Sequence, residues 1–157
     1  MTSIKIMIKS LIILLSFLTF LIECHNSTIS YNFCDKVILI TASSTGIGAQ
    51  TAIDLAKSGA QVVITGRNSE SIGKKLKECE KVPPYKSKFI GVVADISKEE
   101  DLKRLVNETI KEFKRIDILV NNVGIGDRTP ITSPDFMKTY KNLMNVNLDS
   151  IVYLTHL

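Results

Sequence analysis

The sequence predicts an α/β fold, a doubly wound parallel sheet with strand order 3-2-1-4. Three observations predict it. From Lys36 onward, short apolar runs alternate with helical patterns, the rhythm of parallel strands joined by right-handed crossovers. Runs such as Val37-Ile38-Leu39-Ile40 are continuous rather than alternating, so both faces of the sheet are covered. The first run passes through small and hydroxylated residues into Gly46-Ile47-Gly48 and a helical pattern. That turn leaves free N–H groups at a helix N-terminus, where the helix dipole favours a phosphate.

The elements follow in order. Residues 36–41 read as the first strand. Residues 47–58 read as a helix with Ile47, Thr51, Leu55, Ala52 and Ala56 on one face, ended by Gly59 as helix-terminal glycines do. Residues 61–65 form the second strand, and 69–80 a helix closed by Pro83-Pro84. Residues 88–93 form the third strand. Ser97 reads as an N-cap with Glu100 three residues on, a capping box opening a helix to Arg115. Residues 117–121 form the fourth strand. A loop spans 126–134, and 133–157 reads as one or two helices. In this order the crevice opens at the carboxyl ends of strands 1 and 4.

Length and composition narrow the function. The 157 residues suffice for one domain with a real core. A net charge of +4 rests on lysines of helical stretches, with no basic stripe interleaved with aromatics, so no nucleic-acid partner is expected. Cys24, Cys34 and Cys79 form no CxxC pair, and His25 and His156 are far apart, so no metal is expected.

Residues 1–24 read as a targeting segment, a signal peptide or an uncleaved signal anchor. Lys5 and Lys9 precede an apolar core from Leu11 to Ile22, and Glu23 ends it. Residues 4–22 would provide the membrane anchorage. The implied location is the secretory pathway, either the endoplasmic reticulum membrane or outside the cell. Asn26-Ser27-Thr28 is a sequon just after this segment, and Asn107-Glu108-Thr109 is another inside a predicted helix.

The candidate site residues stand at the strand ends. Thr41, Ala42, Ser43, Ser44, Thr45, Gly46, Ile47 and Gly48 form the phosphate turn. Ala42 occupies a place where glycine is common, and the turn is expected to keep its φ negative. The second strand ends Thr65-Gly66-Arg67-Asn68. A carboxylate there would bind the 2′-hydroxyl of an NAD ribose; Arg67 suits a 2′-phosphate instead, so NADP is expected over NAD. The plainer reading of Arg67 is a solvated surface arginine. Asp95 and Ile96 follow the third strand, where the carboxylate would meet an adenine amino group or cap a helix. Asn121 and Asn122 would tie neighbouring backbones together, leaving Gly124 close to a ligand; the alternative is a simple Asn/Gly turn.

Taken together, these residues resemble the short-chain dehydrogenase/reductase family over about residues 35–157. The TGxxxGIG turn matches 41–48 with Ala42 substituted, Asp95 matches the strand-three aspartate, and Asn121-Asn122-Val123-Gly124 matches NNAG with Val123 for alanine. Asn145-Val146-Asn147-Leu148 matches the helical N-x-N-L, which makes Asn147 the catalytic-tetrad asparagine. The resemblance implies an NAD(P)-binding Rossmann-type domain, an alcohol or carbonyl substrate, hydride transfer, and a homo-oligomer for the full-length protein. It also implies a serine and a Tyr-x-x-x-Lys pair, and no tyrosine here has lysine four places on: Tyr31, Tyr85 and Tyr140 are followed by Asp35, Phe89 and Met144. The chain therefore reads as an N-terminal portion of such an enzyme, inactive alone. An inactive nucleotide-binding or interaction module made as a short form is the alternative, and a secreted structural protein is a third reading.

Overall fold

A computed structural model describes residues 32–82 and 87–157. The targeting segment at 1–24, the anchorage at 4–22, the Asn26 sequon and the Pro83-Pro84 stop lie outside the described residues.

Four strands form one parallel sheet in the order β3-β2-β1-β4. They are β1 (Val37–Ile40), β2 (Gln61–Gly66), β3 (Phe89–Val93) and β4 (Ile118–Val120). Between them run α1 (Gly46–Lys57), α2 (Ser69–Glu80) and α3 (Glu99–Phe113). After β4 come α4 (Phe136–Met144), a π-helical stretch (Asn145–Asp149) and α5 (Ser150–His156). The order is the one the sequence predicts.

Side chains alternate across a strand, so each apolar run feeds two cores. Ile38, Ile40, Val62 and Ile64 pack on one face with Ala52 and Ala56 of α1 and Ile72 and Cys79 of α2. Leu39, Val63 and Val92 pack on the other with Leu105 of α3. Full burial of each such side chain contributes about 2 kcal/mol. The small residues Gly48, Ala49, Ala52 and Ala56 form the buried stripe of α1, which lets the helix lie close on the sheet. Ile47 is 81% exposed, so the expected apolar face of this helix is corrected. Gly48, one residue on, takes the buried place because the helix meets the sheet through its smallest residues.

Helix ends also differ from expectation. Gly59 closes α1 with φ +86° and hands its N–H to Ala56 O, as expected of a terminal glycine. The predicted capping box at Ser97 does not form. Lys98 holds the N-cap position of α3 without a side-chain bond. The Ser97 hydroxyl is already committed to Asp95 Oδ1 at 2.8 Å. The helix stops at Phe113, two residues before Arg115, because Lys114 turns left-handed at φ +66°.

Candidate cofactor-binding crevice

The carboxyl ends of the four strands meet around a cavity of about 430 Å³. Its walls include Ala42, Ser44 and Thr45 after β1, Gly66 and Arg67 at the end of β2, Asp95 and Ile96 after β3, and Gly124 after β4. Asn142 of α4 and Val146 of the π-helical stretch close it. Sequence reading left out Asn142, which no spacing marked, and met Val146 only as the spacer of the N-x-N-L run.

The turn after β1 divides its labour. Thr41 and Ser43 are fully buried and face the protein. Thr41 Oγ1 accepts the N–H groups of Asn122 (2.9 Å) and Val123 (3.1 Å). Ser43 Oγ donates to Ile40 O at 2.7 Å and accepts the Thr65 N–H at 2.9 Å. These two hydroxyls staple β1 to β4 and to β2, and they do not line the cavity. Ser44 and Thr45 do, at the N-cap of α1. No acidic residue occupies the first turn of α1, and the N–H groups of Gly46, Ile47 and Gly48 bond no described residue. That combination suits a diphosphate.

Two glycines keep the cradle open. A Cβ on Gly48 would lie 2.8 Å from Ala42 O and collide with the Asn122 amide. One on Gly66 would collide with Ser44 Oγ. Asn122 is the clamp these residues make room for: its Nδ2 donates to Thr41 O at 3.0 Å and to Ala42 O at 3.2 Å. Asn121 behaves differently from its neighbour. It is exposed, and its Nδ2 meets only Thr155 Oγ1 at 3.5 Å. Strand alternation sends the two amides to opposite sides.

Ala42 has φ +50°. The expected negative φ is thus corrected: the backbone must reverse here to aim Ser44 and Thr45 at the crevice, and alanine accepts the left-handed strain.

Arg67 is exposed at the cavity wall and pairs with no described residue. Asp95 is half-buried; its Oδ1 accepts both the N–H (3.1 Å) and the hydroxyl (2.8 Å) of Ser97. The Ile96 N–H donates to no described residue. Thr65 Oγ1 is buried without a partner at the same wall. An unpaired guanidinium, an unpaired N–H, an orphaned hydroxyl and glycines a Cβ would clash with are a fit for a dinucleotide and its phosphates.

Asn147 lies outside the cavity wall and acts on it. Its Oδ1 accepts the Ile125 N–H at 2.8 Å, and its Nδ2 donates to Ile125 O at 2.8 Å. Both ends of the amide thus hold the loop after β4. Asn147 sits in the π-helical stretch, a rare geometry that recurs at functional sites. Among the described residues no cluster of His, Cys, Asp and Glu could hold a metal. Cys79 is buried, which pushes its thiol up to about 11, in keeping with a packing role.

Comparison with known proteins agrees with this geometry. A family model described as short chain dehydrogenase matches residues 36–157. The chain is 33% identical over 137 residues to 11-beta-hydroxysteroid dehydrogenase A of Sesamum indicum, covering 87% of this chain and 38% of the relative. It is 37% identical over 122 residues to glucose 1-dehydrogenase of Gluconobacter oxydans, covering 76% of this chain and 44% of that enzyme. The chain thus spans about two fifths of the length of the curated relatives it matches. Among solved structures, 7 alpha-hydroxysteroid dehydrogenase complexed with NADH superposes with TM-score 0.74 at 28% identity, over 81% of this chain and 48% of that one. The 3-ketoacyl-(acyl-carrier-protein) reductase of Brucella melitensis complexed with NADH gives TM-score 0.70 at 31% identity, over 80% and 49%. With its strand order, phosphate turn and asparagine clamps in place, the chain belongs to the short-chain dehydrogenase family.

Proposed function

We propose that the protein is an NADP-dependent oxidoreductase that interconverts an alcohol and a carbonyl. One observation carries the choice of cofactor. The wall after β2 offers a free guanidinium at Arg67 and no carboxylate. A carboxylate would repel a 2′-phosphate, and arginine binds it as a fork of donors. When bound, the dinucleotide supplies or accepts the hydride. The residues of this chain bind and orient it: the α1 N-terminus takes the diphosphate, Arg67 the 2′-phosphate, Asp95 and Ile96 the base. Asn147 acts through Ile125 at the nicotinamide side. No tyrosine of this chain has a lysine four places on, so these residues account for holding the cofactor and not for the proton transfer.

The hydroxysteroid dehydrogenases among the relatives and the apolar segment at 4–22 both support a lipophilic secondary alcohol as substrate. The same segment supports anchorage to a membrane of the secretory pathway, which resistance of the full-length protein to alkaline extraction would test.

The cofactor assignment is tested by Arg67→Glu, titrated with NADPH and NADH by cofactor fluorescence. NADPH affinity is expected to fall about 100-fold, with NADH affinity held within about threefold. Equal losses for the two cofactors would overturn the assignment.

A further inference from the structure

The loop after β3 is held by Asp101 and Arg104, outside every motif described above, and by Asn145 of the N-x-N-L run. The Asp95 N–H donates to Asp101 Oδ2 at 2.7 Å. Asp101 Oδ1 is gripped by Arg104 at 2.6 Å, and the same Arg104 nitrogen donates to Val93 O at 2.9 Å. Asp101 thus fixes the Asp95 backbone from the first turn of α3, while Arg104 ties that turn to the end of β3. From the other side, Asn145 Nδ2 donates to Ser97 O at 3.2 Å. Ser97 in turn donates twice to Asp95 Oδ1.

These bonds leave a defined remainder. Asp95 Oδ1 is spent on Ser97, while Oδ2 accepts from no described residue. The neighbouring Ile96 N–H is also unspent, and both residues line the cavity. A carboxylate oxygen only accepts, and a backbone N–H only donates. An acceptor beside a donor complements the adenine edge, where an amino group adjoins the N1 acceptor. A 6-oxo purine presents the reverse order, an acceptor oxygen beside an N1–H donor, and leaves both protein groups mismatched.

We infer that Asp101 and Asn145 are positioning residues that hold the Asp95–Ile96 pair in this order and so set the preference for an adenine dinucleotide over its 6-oxo counterpart. The inference rests on the dinucleotide reading above. Its two residues sit on separate elements and reach the loop from opposite sides, so each tests it independently. Asn145 also shares the π-helical stretch with Asn147. One short segment thereby holds the loop after β3 through Asn145 and the loop after β4 through Asn147.

The test titrates the full-length protein with NADPH and with its hypoxanthine analogue, following the fluorescence of the reduced nicotinamide. The wild type is expected to prefer NADPH by about tenfold or more, the discrimination that mismatched hydrogen bonds supply. Asp101→Ala and Asn145→Asp should each reduce the preference to about threefold or less. Asp101→Asn keeps an acceptor for the Asp95 N–H and should retain it. The preference is a ratio within one variant, so loss of folded protein does not move it. Ser97→Ala, which removes one donor to Asp95, is the milder replacement should either variant not fold. Unchanged preference in the variants, or none in the wild type, overturns the inference. A wild type that binds neither dinucleotide overturns the cofactor reading beneath it.

Discussion

The two flanks of the sheet are built to different degrees. On the β1–β2 flank, all four residues of β1 are at most 1% exposed, and Val62, Val63 and Ile64 of β2 are fully buried. On the β4 flank, Ile118, Leu119 and Val120 are all only half-buried. Large apolar side chains stand open there: Ile131 at 79%, Met137 at 57% and Val152 at 60%. The first flank is closed on both faces and holds the phosphate turn, with Thr41 and Ser43 hydrogen-bonded inside. The second carries Asn147 and one wall of the crevice, yet its packing is unfinished among the described residues. Ile47 of α1, at 81%, is the one comparably open side chain beside the first flank. Binding geometry and stability are therefore concentrated on one flank.

Paired truncations would break this contrast most sharply. Ile64→Ala removes a fully buried side chain from the closed flank and should cost about 3–4 kcal/mol. Val152→Ala on the open flank should cost less than about 0.5 kcal/mol. Both are read from denaturant midpoints at constant m-value. Comparable costs would mean that the β4 flank is already covered in solution.

The contrast also explains what could be read from sequence. Buried parallel strands have a plain signature, so burial on both faces follows from the apolar runs, while their order follows from the alternation with helices and the phosphate turn. Residues that hold one another are harder to see. Asn121 and Asn122 are adjacent and chemically identical, and only strand alternation decides which becomes the clamp. Ser97 carried a capping-box pattern, yet Asp95, two residues earlier, competes for its hydroxyl and wins. Asp101, six residues after Asp95, had no local signal because its partner is a backbone N–H that any residue supplies. The π-helical stretch was equally hidden, since five residues of helical composition do not distinguish i+5 from i+4 bonding.

A smaller effect is expected at the seam between the flanks. Asp117 precedes β4 and accepts the Val37 N–H of β1 at 2.9 Å. Arg115 hydrogen-bonded to its carboxylate, aided by that N–H, holds its carboxyl below the usual range. Because the folded value is depressed, its stabilisation is present above the unfolded value of about 4 and is lost as pH falls through the folded one. Asp117→Asn should therefore flatten the acid limb of the stability–pH curve below about pH 4. The neutral-pH slope should be unchanged. Wild-type and variant curves of identical shape would show that this seam is not pH-linked.

The smallest expected effect lies in the closed flank itself, at Ala42. A non-glycine residue in the left-handed region costs about 1 kcal/mol. Glycine removes that strain but adds unfolded-state entropy worth about 0.5–1 kcal/mol. The two nearly offset, so Ala42→Gly should change stability by no more than about 0.5 kcal/mol, in the stabilising direction. Its second consequence concerns the crevice. Ala42 O accepts from Asn122 Nδ2, and Ala42 itself lines the cavity. Glycine would leave the clamp bonded and admit more than one path for the turn, so NADPH affinity should hold within about threefold. Calorimetric melting and cofactor titration on the same preparation separate the two effects. A large stability gain would mean that the alanine strains the turn beyond φ alone. A large affinity loss would mean that the alanine methyl itself packs against the dinucleotide, making the departure from the family's glycine a feature of this binding site.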